Sequence, residues 1–190
     1  MSYGAYSATA DTSSLKINAV GGSALALNTH NVNSMLDFDK QMGHVEANTD
    51  KQYTELPFNQ YKTSLTTFDW DMKNDAVTFI TDGQEYGTFI ATGENRDSLN
   101  FQGNTAFYDL KSNKIKIGGV PFINTCDATV YTETGDVEIL EAGKMPTLNN
   151  CKIICDTINK HHVINRATVD IKGRKAVSYT HLTLPTTPYV

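Results

Sequence analysis

Cys151, Cys155, His161 and His162 are the residues whose types most directly suggest chemistry, because thiolates and imidazoles bind zinc. Structural zinc sites usually place Cys pairs roughly two to four positions apart and His pairs roughly three to five apart. Cys151 and Cys155 fit that rule loosely. His161 and His162 do not fit it, since neighbours on a strand point to opposite faces. On a regular strand the two cysteines would share a face about 13 Å apart, at ~3.3 Å per residue. One tetrahedral ion cannot span that distance, so no metal site is expected. Cys126 is the third cysteine. An odd number this small makes no disulfide framework, and Cys126, Cys151 and Cys155 read as small, half-buried strand residues.

Other constellations are weaker. Asp69, Asp71 and Asp75 surround Trp70. They lack the Asp-x-Asp-x-Asp-Gly order and the bidentate Glu of a calcium loop, and read as a solvated hairpin flank. There is no Gly-x-Ser-x-Gly elbow and no Gly-x-x-x-x-Gly-Lys phosphate loop. Arg96 beside Asp97, in "GENRDSLNF", reads as a polar loop before a strand. Catalytic residues and cofactor sites are therefore not expected, and no ligand-binding residue is assigned. Tyr53, Phe58, Tyr61, Phe68 and Trp70 form an aromatic cluster around Pro57. Aromatics favour strands, so a sheet core is the first reading. The alternative is a surface carbohydrate-binding module using exposed aromatics such as Trp70 and Tyr61.

The elements that would carry these residues are strands. Charged residues are 19% of the 190 and hydrophobic ones 39%, with Thr, Asn and Ser filling the gap. That balance suits antiparallel sheet better than a helical bundle. A net charge of −5 argues against a nucleic-acid binder. No apolar run is long enough for a membrane span. Alternation recurs in "SLKINAV" (14–20), "SALALNT" (23–29), "AVTFI" (76–80), "NKIKIGGV" (113–120), "DVEIL" (136–140), "CKIIC" (151–155) and "RATVDI" (166–171). Turn signals separate the runs: Gly21-Gly22, Met42-Gly43, Asn74-Asp75, Asp82-Gly83, Ser112-Asn113, Gly118-Gly119, Thr134-Gly135 and Asn149-Asn150. No amphipathic helix of three turns is expected, and 31–46 leans to strands.

The chain also resembles itself. "WDMKNDAVTF" from Trp70 aligns without gaps to "YDLKSNKIKI" from Tyr108, 38 positions later. A weaker copy, "VYTETGDVEI", starts at Val130. A small residue followed by a strand recurs at Ala106, Ala128, Cys151 and Ala167, roughly every 16 to 23 residues, a spacing at which short units stack into an array. The expected fold is all-β: stacked antiparallel strands in a groove-shaped or sandwich-like repeat array.

The stretch 105–139, "TAFYDLKSNKIKIGGVPFINTCDATVYTETGDVEI", resembles the OstA/LptA-like periplasmic family. The matching features are Ala106-Phe107-Tyr108-Asp109, Gly118-Gly119-Val120 and Asp127-Ala128-Thr129-Val130-Tyr131. The wider run also resembles long, uncharacterised envelope proteins of Bacteroidetes-type bacteria. The resemblance implies a twisted strand stack in the periplasm or at the outer membrane, with no catalytic residues. It implies a structural scaffold or a conduit for lipid or lipopolysaccharide, with like units stacking end to end.

The final stretch, 176–190, differs from everything before it. "VSYTHLTLPT" (177–186) is similar to a translated sequencing-library adaptor over ten consecutive residues. Residues 1–175 are therefore expected to be a β-repeat fragment of a longer protein, and 176–190 a non-native tail. Genomic DNA that continues past Lys175 with other codons supports this reading, and a genuine stop after Val190 sinks it.

Overall fold

The computed structural model describes residues 7–49, 52–81, 86–155, 158 and 162–180. Among the described residues, seventeen antiparallel strands join into one continuous hydrogen-bonded sheet. They are β1 (Ser7–Asn18), β2 (Leu25–Asp37), β3 (Met42–Ala47), β4 (Thr54–Leu56), β5 (Tyr61–Thr63), β6 (Phe68–Asp71), β7 (Ala76–Phe79), β8 (Gly87–Ala91) and β9 (Asn100–Gly103). Then follow β10 (Thr105–Asp109), β11 (Lys114–Gly118), β12 (Ile123–Thr125), β13 (Ala128–Tyr131), β14 (Val137–Ile139), β15 (Leu148–Cys155), β16 (His162–Gly173) and β17 (Ala176–Thr180). The only helical pieces among the described residues are two 3-10 turns, Glu94–Arg96 and Glu141–Gly143.

The pairings fold this sheet into two rows. The first row runs β2, β3, β6, β7, β10, β11, β14. The second runs β2, β4, β5, β8, β9, β12, β13, β15. Successive hairpins alternate between rows, so the chain crosses over after nearly every pair of strands. β2 belongs to both rows. It pairs with β4 at Asn28 and with β3 from Val32 onward. Between those points Asn31 takes φ 51, and Thr12 on the partnering β1 takes φ 57. The same device recurs in the β15–β16 hairpin, where Asn150 has φ 54 and Arg166 φ 57. Such bulges bend a strand out of one sheet and into the next.

Alternation puts one apolar face of each row inside. Val45, Phe68, Val77, Tyr108, Ile115, Ile117 and Ile139 from the first row join Leu56, Tyr61, Phe89, Ile123, Val130 and Ile153 from the second in a single buried cluster. The rows approach so closely at Gly103 that a Cβ there would collide with Ile117 Cγ2. Phe107 and Lys116, on the same strands as Tyr108 and Ile115, point outward.

The first row is where the sequence repeat lives. Trp70–Phe79 and Tyr108–Ile117 form the hairpins β6–β7 and β10–β11, and their β7 and β10 strands pair with each other. The structure adds a third copy, Leu36–Val45, forming the β2–β3 hairpin. In each copy an aspartate opens the turn and accepts backbone N–H bonds: Asp37 from Lys40, Asp71 from Lys73 and Asn74, Asp109 from Lys111 and Ser112. In each copy the fourth residue after the aspartate is left-handed: Gln41 at φ 56, Asp75 at 56 and Asn113 at 53. Neighbouring turns are also tied alike. Met72 N–H donates to the Gln41 carbonyl and Leu110 N–H to the Asp75 carbonyl, both at 2.9 Å.

Three expectations need correction. The Val130 copy is not a hairpin: β13 lies in the second row and β14 in the first, and 132–136 crosses between them. Met42-Gly43 lies inside β3, because the turn is closed earlier by Asp37. Asn149-Asn150 lies inside β15 and makes the bulge described above. Asp82-Gly83 lies outside the described residues.

Candidate functional site

The interior is the first place to look for a ligand groove, and side chains fill it. Tyr61, Phe68, Phe89, Tyr108, Ile115 and Ile139 are all at most 1% exposed. Tyr61 packs edge-on against Phe101, and Phe89 stacks on the same ring at 5.7 Å. Burial pushes the Tyr61 and Tyr108 phenols well above their ordinary pKa, so both stay neutral. Tyr61 is therefore not an exposed sugar platform, and Trp70 is half-buried against the core with its indole N–H fully covered. The core reading holds for Tyr61, Phe68 and Trp70. Tyr53 is exposed, and Lys62 sits 4.8 Å above its ring.

On one long side of the stack, turns of one row bond to those of the opposite row. Asn59, in the β4–β5 turn, is fully buried and donates its side-chain amide to the Asn113 carbonyl at 2.9 Å. That carbonyl belongs to the last first-row turn, so Asn59 occupies the place that a further turn's N–H would take. Its amide also lies 3.5 Å from the Ile139 carbonyl.

Arg96 is a second tie. In the sequence it stands in a polar loop. Its guanidinium donates to the carbonyls of Lys172 at 2.9 Å and Ile171 at 3.4 Å, and its own carbonyl accepts Arg174 N–H at 3.0 Å. Gly173 lies so close that a Cβ would stand 3.1 Å from the Arg96 carbonyl oxygen. Thr125 and Cys126 complete the clasp, donating to the Gly173 and Arg174 carbonyls. A sequence reading had no signal for these contacts, because the partners are at least 48 positions apart, and 76 in the case of Arg96 and Lys172.

The candidate metal residues do not gather. Cys151 is buried opposite Ala167, and burial raises its thiol pKa. Cys155 is half-buried opposite His162, and His161 lies outside the described residues. Cys126 is exposed in the β12–β13 turn at φ 51, not on a strand. Among the described residues no group of three or more His, Cys, Asp or Glu could hold an ion. Asp69 pairs with His44 at 2.7 Å on the outer face of the first row, Asp71 caps its turn, and Asp75 meets Lys111 at 3.4 Å. These three aspartates have three separate partners.

No family model, curated protein or solved structure matches this chain. The remaining features are surfaces. No helix among the described residues is long and apolar enough to cross a membrane. Exposed Phe122 and half-buried Tyr131 form a ring pair at 6.0 Å, with Lys152 over Tyr131. The second edge of β1 has no strand partner among the described residues, and neither has that of β17.

Proposed function

We propose that this chain is a non-enzymatic structural segment of a cell-envelope protein, a scaffold that extends by strand-to-strand stacking. The supporting observation is the open edge of β1. An unpaired edge strand is a template for another strand. From Ser7 to Thr12 this edge is exposed and carries no Lys or Pro to block it. β17 offers a second edge, but its residues fall in the adaptor-like stretch, so β1 is the edge to test. The filled interior favours the scaffold over a conduit for lipid or lipopolysaccharide, because an acyl chain would have to displace buried aromatic rings. Placement in the envelope rests on the OstA/LptA-like resemblance.

Sedimentation over a range of concentrations tests the stacking. Association that rises with concentration, and that Ala8→Lys with Ala10→Lys abolishes without changing the far-UV spectrum, supports the scaffold. A chain that stays monomeric throughout sinks it. Lipid co-purifying in stoichiometric amount would restore the conduit.

A further inference from the structure

The side of the stack closed by turns carries a cleft of about 720 Å³. Three separate segments bring a cation to it. Arg96 comes from the β8–β9 turn, Lys144 from the segment after β14, and Lys172 from β16. Glu94 is the one carboxylate among the lining residues, so the lining charge is +2 in a chain whose net charge is −5. Thr92 and Asn95 add neutral hydrogen-bonding side chains to the rim.

Like charges brought together repel unless something offsets them. The cations elsewhere that form pairs do so with carboxylates: Lys40 with Asp37, Lys111 with Asp75, Lys116 with Glu138. Neither Lys144 nor Lys172 has an ion pair among the described residues, and both are exposed and free to turn toward a ligand. The guanidinium is held differently. Its Nη1 is tied to the Ile171 and Lys172 carbonyls, which fixes its position without neutralising it. A fixed guanidinium flanked by two mobile ammonium groups is suited to an anion that accepts bonds from several directions.

We infer that this cleft binds a phosphate monoester group. Such a group carries close to two negative charges at neutral pH and has three terminal oxygens. That charge matches the lining, and the oxygens suit donors arriving from three segments. A carboxylate would neutralise half the charge. The group could come from a soluble phosphate monoester or from a lipid whose headgroup is itself a monoester, such as phosphatidate, and the chemistry is common to both. The inference is independent of strand stacking, which uses the β1 edge.

Titration calorimetry with inorganic phosphate and with a soluble sugar phosphate tests the free ligand. Flotation with phosphatidate-containing vesicles, against neutral vesicles, tests the headgroup. Saturable one-to-one binding in either arm is expected. Lys144→Gln and Lys172→Gln should each weaken it about tenfold, as expected for one charge-assisted contact. Both side chains are exposed, so thermal melting should be unchanged and the loss assignable to the site. Lys40→Gln, remote and already paired, should bind normally. An equal loss in Lys40→Gln would reveal a diffuse charge effect and overturn the site, as would absence of binding in both arms by the folded protein.

Discussion

The turns of the first row and those of the second row solve the same problem in different ways. In the first row Asp37, Asp71 and Asp109 close three hairpins with one chemistry, and each turn bonds its neighbour through the same backbone atoms. In the second row no two described turns are alike. The β4–β5 turn sends Asn59 into the opposite row, the β8–β9 turn clasps β16 through Arg96, and the β12–β13 turn bonds Arg174 through Cys126. The backbone tie between neighbouring turns also occurs once in the second row, from Thr92 N–H to the Gln60 carbonyl at 2.8 Å. What differs is the added contact: each second-row turn also meets a different distant segment, and its sequence departs accordingly.

The largest expected effect comes from breaking a second-row tie. Asn59→Ala removes a buried donor from the Asn113 carbonyl and leaves a void, costing about 2–3 kcal/mol. Urea unfolding of the variant measures this, and a loss below about 0.5 kcal/mol would contradict the tie. Next is Gly173→Ala. Its Cβ would press on Arg96 backbone, which cannot swing aside as a side chain could, so a cost of about 1–2 kcal/mol is expected in the same assay.

First-row changes should be milder. Gln41 holds the left-handed position of its turn, where a residue with a Cβ is strained and glycine is not. Gln41→Gly should shift stability by no more than about 1 kcal/mol, on the stabilising side, because relief of strain outweighs glycine's extra freedom in the unfolded chain. A clear loss in thermal melting would show that the Gln41 side chain does more than fill the turn.

The smallest effect is a pH dependence confined to the first row. The Lys40 backbone N–H holds the Asp37 carboxyl below its ordinary range; the side chains of Asn74 and Ser112 do most to lower Asp71 and Asp109. A carboxyl with a lowered folded pKa stabilises the fold above its unfolded value, near 3.8, and that contribution fades as pH falls through the folded value. Melting temperature should therefore decline below about pH 4. Asp71→Asn combined with Asp109→Asn should flatten the decline. An unchanged slope would place the acid-sensitive groups elsewhere.

Strand identity was legible because alternation is a property of a few consecutive residues. Each alternating stretch read as a strand lies on one, and the pairing of Trp70 with Tyr108 as equivalent positions marks equivalent hairpins. The Leu36 copy escaped notice because Gln41 takes its left-handed position and the nearest glycine, Gly43, lies inside β3 and marks the turn too late. Val130 misled for the opposite reason. Thr134-Gly135 resembles a hairpin turn, yet the residues after it cross to the other row.

By itself, the sequence determined which residues alternate, which face of each strand is apolar, and which aspartates can close a turn. Those are local consequences of side-chain type and backbone geometry. Only the tertiary structure decided that successive hairpins fall into two rows, that Tyr61 is covered while Tyr53 is not, and that Arg96 meets Ile171, Lys172 and Lys144 around one cleft. The reason is distance along the chain. A contact across about 75 residues depends on how all the intervening strands stack, and no short stretch of sequence carries that information.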